Sequence, residues 1–223
     1  VALADGTRLV NHVDLAVAPA ERVLLVGDSG TGKSALVRSL GGCWPWGEGE
    51  IAHPGAVAVV PQRPYVPAGS LREAVAYPRP RGAVDDAAVR DALAAVGLAP
   101  FLPRLDEDLP WERMLSAGEK QRLAFARLLL HRPAVIVLDE ATSALDVAAQ
   151  AQVMTVVADR LPEAAVLSVG HRPELAAFHD RRVTLTRRPD GARIVADEPL
   201  RSTRAPAARA ATAPPERVEP QTT

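Results

Sequence analysis

Apolar residues along this chain follow two rhythms, one of period two and one of three to four residues. Val13, Leu15 and Val17 alternate with His12, Asp14 and Ala16, and Val23 to Val26 is an unbroken apolar run; together they predict two strands separated by a turn at Pro19 and Ala20. Lys33 to Leu40 has helical spacing and stops at Gly41 and Gly42, and Ala56 to Val60 forms another apolar strand closed by Pro61. From Ser70 the pattern turns helical. Ser70 can cap a short helix with Glu73 three residues on, and Asp85 and Asp86 start a second helix within Val84 to Leu98.

Helices then alternate with strands: Ala117 to His131, Ala134 to Leu138, Val147 to Leu161 and Ala165 to Val169. Such an order predicts an α/β fold with a parallel sheet between helices. Arg182 to Thr186 and Ala192 to Ala196, joined around Pro189, Asp190 and Gly191, predict a closing hairpin and hence an antiparallel edge. The expected division is a core in two parts, 1–62 and 116–200, with a helical subdomain, 63–115, inserted between them. A proline- and alanine-rich tail, 201–223, is expected to be disordered.

Composition narrows the class. With 48% hydrophobic residues, 24% charged residues and a formal net charge of −1, the chain has an ordinary globular make-up and no basic excess for gripping nucleic acid. A single cysteine, Cys43, excludes an internal disulfide framework, suits a reducing compartment and is expected to be a small buried hydrophobe. No run approaches the ~18 apolar residues that cross a bilayer. The chain begins at Val1 with strand-like residues, as expected of a domain cut from a longer polypeptide. Trp44 and Trp46 are expected in the core, and Trp111 either there or at the surface.

Two segments carry chemistry. Gly27, Asp28, Ser29, Gly30, Thr31, Gly32, Lys33 and Ser34 lie between an apolar strand and a helix, where consecutive backbone N–H groups and a helix N-terminus converge on phosphate oxygens. In that P-loop context Lys33 would face the β- and γ-phosphates of a nucleotide and Ser34 can ligate Mg²⁺. Val135 to Leu138 is a strand delivering Asp139 and Glu140 at its C-terminal edge, where ligands bind in open α/β sheets. There Asp139 would hold Mg²⁺ directly or through water, and Glu140 would face the attacking water. Taken alone, the two acids would equally suit the start of the next helix.

Leu115, Ser116, Ala117, Gly118, Glu119, Lys120, Gln121 and Arg122 resemble the signature of the ATP-binding cassette (ABC) family, although Ser116 would also serve as a plain helix N-cap. The resemblance spans about residues 8 to 198 and implies a P-loop NTPase (RecA-like) core. It extends to Gln62 as the Q-loop, Ser143 to Asp146 as the D-loop and His171 as the switch histidine. It implies ATP hydrolysis in which Glu140, His171 and Gln62 are catalytic, and Ser34, Gln62 and Asp139 hold Mg²⁺. Ser116, Gly118 and Asp146 would complete the site of a second cassette, most simply in a homodimer.

The runs from Val59 to Pro78 and from Trp111 to Asp146 look like cassettes fused behind their own membrane domain, a group that includes peroxisomal acyl-CoA transporters and BacA-like carriers of cobalamin or peptides. The implied setting is the cytoplasmic face of a membrane, the bacterial inner membrane, with no nucleic-acid partner. Two other readings stay open: a soluble cassette ATPase of DNA repair or translation, and a nucleotide-binding regulatory module. The chain departs from the family pattern at Ala117 and Glu119, where Gly and Gln are commoner, and has no aromatic residue before Trp44 to stack on adenine, so that either such a residue lies upstream of Val1 or apolar contacts alone hold the base.

Overall fold

Six strands form one sheet in the order β2-β3-β4-β1-β5-β6. In this computed structural model, which describes residues 1–80 and 82–200, they are β1 (Arg22–Val26), β2 (Val57–Val60), β3 (Val135–Asp139), β4 (Ala165–Val169), β5 (Arg181–Thr186) and β6 (Arg193–Pro199). The first five pair in parallel, and β6 pairs antiparallel to β5, forming the expected edge. Helices α1 (Lys33–Leu40), α2 (Leu71–Ala76), α3 (Asp86–Ala95), α4 (Trp111–Met114), α5 (Ala117–His131) and α6 (Val147–Arg160) complete the fold. The expected disordered tail lies outside the described residues.

Because alternate strand residues point to opposite faces, a strand covered on both sides must be apolar throughout. Val23 and Leu25 of β1 join Val37 of α1 in one buried cluster, whereas Leu24 joins Ile136, Leu138 and the helices of the other face. That second cluster also holds Val75 of α2, Leu93 of α3, Trp111 and Phe125, so the helices within 63–115 share their core with the sheet. Arg127 of α5 ties the segment after Gln62 to this helical layer, donating to the carbonyls of Tyr65 at 2.8 Å and Ala74 at 2.9 Å.

Several sequence expectations need correction. Val13, Leu15 and Val17 do alternate, half-buried against the sheet, yet no strand forms there. Side chains take up this backbone instead of a neighbouring strand: Arg181 donates to the Ala16 carbonyl and Glu21 accepts from the Ala18 N–H. Helix α3 stops at Ala95, short of Leu98, because the chain turns at Gly97 into a tight 3₁₀ turn, Ala99–Arg104. Cys43 is exposed, and so is Trp46. Trp44 and Trp46 meet edge to face outside the core, with the Trp44 indole donating to the Ala2 carbonyl; they clamp the N-terminal segment. Trp111 is the core tryptophan, at 1% exposure.

Candidate active site

The loop 27–34 leaves the C-terminal end of β1 and enters α1 at Gly32, which takes the left-handed φ of 84° as N-cap. A side chain could not replace it: a Cβ there would come within 2.8 Å of the Val10 side chain. At Gly27, with φ 148°, a Cβ would collide with the Leu185 carbonyl oxygen at 2.2 Å. Both glycines are therefore required by close approach as well as by conformation. Thr31 is buried and its hydroxyl donates to the Asp28 carbonyl at 2.9 Å, closing the loop on itself; Asp28, Ser29 and Gly30 line its exposed rim. Lys33 arches back over the loop, its Nζ donating to the carbonyls of Gly27 and Asp28, both at 2.7 Å. Partial burial lowers its pKa, opposed by the negative charges of Glu140, Asp28 and Asp139.

At the end of β3, Asp139 is 2% exposed and its Oδ1 accepts from the Ser34 hydroxyl at 2.7 Å. Its Oδ2 meets the Arg38 guanidinium at 3.3 Å. Ser34 and Arg38 are four residues apart on α1 and so lie on one helical face, which is why both address the same carboxylate. In an extended strand Asp139 and Glu140 would point to opposite sides. Glu140 instead leaves the strand with a left-handed φ of 51°, its N–H bonded to the Val169 carbonyl at 3.1 Å. That turn brings both carboxylates to one edge, and Glu140 Oε2 accepts from the Gln62 side-chain amide at 2.9 Å. A left-handed non-glycine residue is costly, and such positions concentrate at functional sites.

Mg²⁺ takes hard oxygen donors and keeps several waters, usually joining one or two carboxylates to substrate phosphates. The paired oxygens of Ser34 and Asp139, beside a loop built for phosphate, fit that ion. Among the described residues no group of three or more His, Cys, Asp or Glu could cage a metal alone, so phosphate and water would complete the shell. Gln62, expected as a further Mg²⁺ ligand, has its amide nitrogen on Glu140.

Other expected residues occupy the rim. Exposed His171 follows the end of β4, the strand beside β3. Ser116 caps α5 in a capping box: its hydroxyl donates to Glu119 at 2.7 Å, and the Glu119 carboxylate also accepts the Ser116 N–H at 2.8 Å. Gly118 lies against the Ala144 carbonyl, and Asp146 caps α6 by accepting from Ala149 N–H at 2.7 Å.

Sequence reasoning gave no role to two connecting residues. Gln121, buried on α5, donates to the Gln62 carbonyl at 3.0 Å and the Ser143 hydroxyl at 3.2 Å, and accepts from Ala144 N–H at 2.9 Å. It thereby joins the Gln62 segment to the 143–146 loop. Arg172 donates to the carbonyls of Ser143 at 2.7 Å and Leu145 at 2.6 Å, tethering that loop to the neighbour of His171. A signal for Gln121 existed: it is the polar member of the apolar stripe formed with Ala124, Phe125 and Leu128.

Residues 10–143 match the sequence profile of the family described as ABC transporter. An uncharacterized ABC transporter ATP-binding protein of Haemophilus influenzae is 38% identical over 81% of this chain and 31% of its own length. The inner membrane ABC transporter ATP-binding protein YddA of Escherichia coli is 38% identical over 76% of this chain and 30% of its own. The lysosomal cobalamin transporter ABCD4 of Homo sapiens is 36% identical over 77% and 30% respectively. This chain thus spans under a third of the length of these relatives. Among solved structures, an ATP-bound bacterial Atm1-family ABC exporter superposes with a TM-score of 0.74 at 28% identity, over 86% of this chain and 36% of that one. The phosphate loop, the paired carboxylates behind it and the profile match over more than half of its residues make this chain a member of the ABC transporter family, as its ATP-binding domain.

Proposed function

We propose that this chain hydrolyses Mg²⁺-bound ATP in a closed pair with a second copy of itself and drives transport through a membrane domain that precedes it in the full-length protein. The observation that carries this reading is the meeting of Ser34 and Asp139 at 2.7 Å beside Lys33, with Glu140 held by Gln62 on the same edge. Lys33 and the amides of residues 27–34 hold the triphosphate. Mg²⁺, when bound by Ser34 and Asp139, neutralises phosphate charge. Glu140 orients and deprotonates the attacking water, and Gln62 and His171 report the γ-phosphate. Ser116 and Gly118 serve the nucleotide of the partner copy, and Asp146 sets the loop between the two sites.

The helices within 63–115 pass the closure to the membrane domain. One finding supports a separate membrane part: relatives are about two and a half times as long as this chain. No described helix is long and apolar enough to cross a membrane. YddA, named an inner membrane protein, supports the cytoplasmic face of a bacterial inner membrane as the setting. Sedimentation of Glu140→Gln tests the pairing. With Mg²⁺ and ATP it is expected to run as a dimer that Ser116→Arg abolishes; a monomer at every ATP and protein concentration would contradict the proposal.

A further inference from the structure

Asp139 is a carboxylate in an almost closed position, with side-chain exposure of 3%, and burying such a charge is costly unless a cation compensates it. Among the described residues its ion pair is with Arg38, whose own side chain is 46% exposed, while the Lys33 charge also acts on it without a contact. The asymmetry matters. A guanidinium rooted in the protein interior would be a fixed structural partner, whereas this one reaches in from solvent through one nitrogen at 3.3 Å and can give way when another cation takes over Asp139. The contact is also one-sided: Oδ2 faces Arg38, while Oδ1 stays with the Ser34 hydroxyl, the oxygen pair that suits Mg²⁺.

We propose that Arg38 is a displaceable counter-ion of the cation site: it compensates Asp139 while no divalent ion is bound, and its charge keeps Mg²⁺ affinity lower than Ser34 and Asp139 alone would give. The inference rests on the Mg²⁺-bound ATP reading above. One positive charge close to a carboxylate reduces that carboxylate's pull on a second cation, so a bound Mg²⁺ must displace Arg38 or share Asp139 with it. Such a counter-ion holds the empty site in shape and lets the metal leave with spent nucleotide. Arg38 is a positioning residue here and touches no reacting atom.

The test is a calorimetric titration of Mg²⁺ into the 223-residue chain saturated with ADP in chelator-treated buffer, paired with melting curves in chelator and in Mg²⁺ with ADP. Arg38→Met, which keeps the apolar stem, is expected to bind Mg²⁺ roughly 3- to 10-fold more tightly. It should lose more thermal stability in chelator than with Mg²⁺ and ADP, and Arg38→Lys should retain the wild-type Mg²⁺ affinity. A purely structural role gives the opposite result, because a loosened Asp139 binds the metal more weakly. Unchanged or weaker Mg²⁺ binding in Arg38→Met, with ADP still bound, overturns this inference alone. Failure of the unmodified chain to bind ADP overturns it together with the proposed function. Should Arg38→Met not fold, the same comparison is made between Arg38→Gln and Arg38→Lys.

Discussion

Replacing Gln121 with leucine separates the wiring of the site from its chemistry. Gln121 is 1% exposed, and its side-chain amide makes three hydrogen bonds, to Gln62 O, Ser143 Oγ and Ala144 N. At about 1 kcal/mol net for each bond, the gross loss is roughly 3 kcal/mol. Gln62 and Ala144 are exposed, however, so water can replace part of what they lose. The expected destabilisation is therefore about 1–2 kcal/mol, read from the urea midpoint at unchanged slope. Activity should fall further than binding. ATP affinity rests on residues 27–34 and should change by less than about twofold, whereas hydrolysis depends on Gln62 holding Glu140 and should drop by at least about tenfold. A variant that unfolds at the wild-type urea concentration, or loses affinity and turnover in equal measure, would refute the reasoning.

Stability should also carry a signature of His179, which is fully buried against β4. The Leu175 carbonyl at 2.7 Å can only accept, so Nδ1 bears the proton and Nε2 accepts from the Ser168 hydroxyl. Burial, helped by the charge of Arg22, pushes the imidazole from 6.5 down to about 4. As pH falls from about 6.5 towards 4 the unfolded chain binds a proton that the folded chain refuses, so stability drops by about 3 kcal/mol in all; His179→Asn should flatten this part of a urea-midpoint profile. Gly32→Ala forces a side chain into a left-handed position 2.8 Å from Val10 and should cost about 1–3 kcal/mol in chemical denaturation as well as ATP binding. Assayed as these 223 residues, in which no aromatic residue precedes Trp44, GTP should compete with ATP within about tenfold in a displacement assay.

What could be read in the sequence was what the chain settles locally. A strand, a glycine loop and a helix in immediate succession leave few ways to build residues 22–40, and Val135 to Asp139 is too apolar to lie anywhere but inside a sheet. The capping pair of Ser70 and Glu73 forms as its spacing requires, and Ser116 caps α5 as expected. Illegible were the properties that depend on partners distant in sequence. Val13 to Val17 has a strand's alternation, but a strand also needs a neighbour, and alternation cannot supply one. Trp44 and Trp46 looked like core by size, yet their partner is the N-terminal segment, forty-odd positions away. At the site, the motifs marked Ser34, Asp139 and Glu140 individually; the Arg38 contact and the Gln62–Gln121–Ala144 chain depend on folding α1 and α5 against the loops.

The central claim is most directly tested by Mg²⁺-dependent ATP hydrolysis measured at several protein concentrations, with Glu140→Gln alongside. A rate per chain that rises with concentration and vanishes in the variant, while ATP still binds, is the expected result. Turnover by Glu140→Gln at the wild-type rate, or ATP binding with no hydrolysis at any concentration of the unmodified chain, would contradict a self-pairing ATPase that uses Glu140 to activate water.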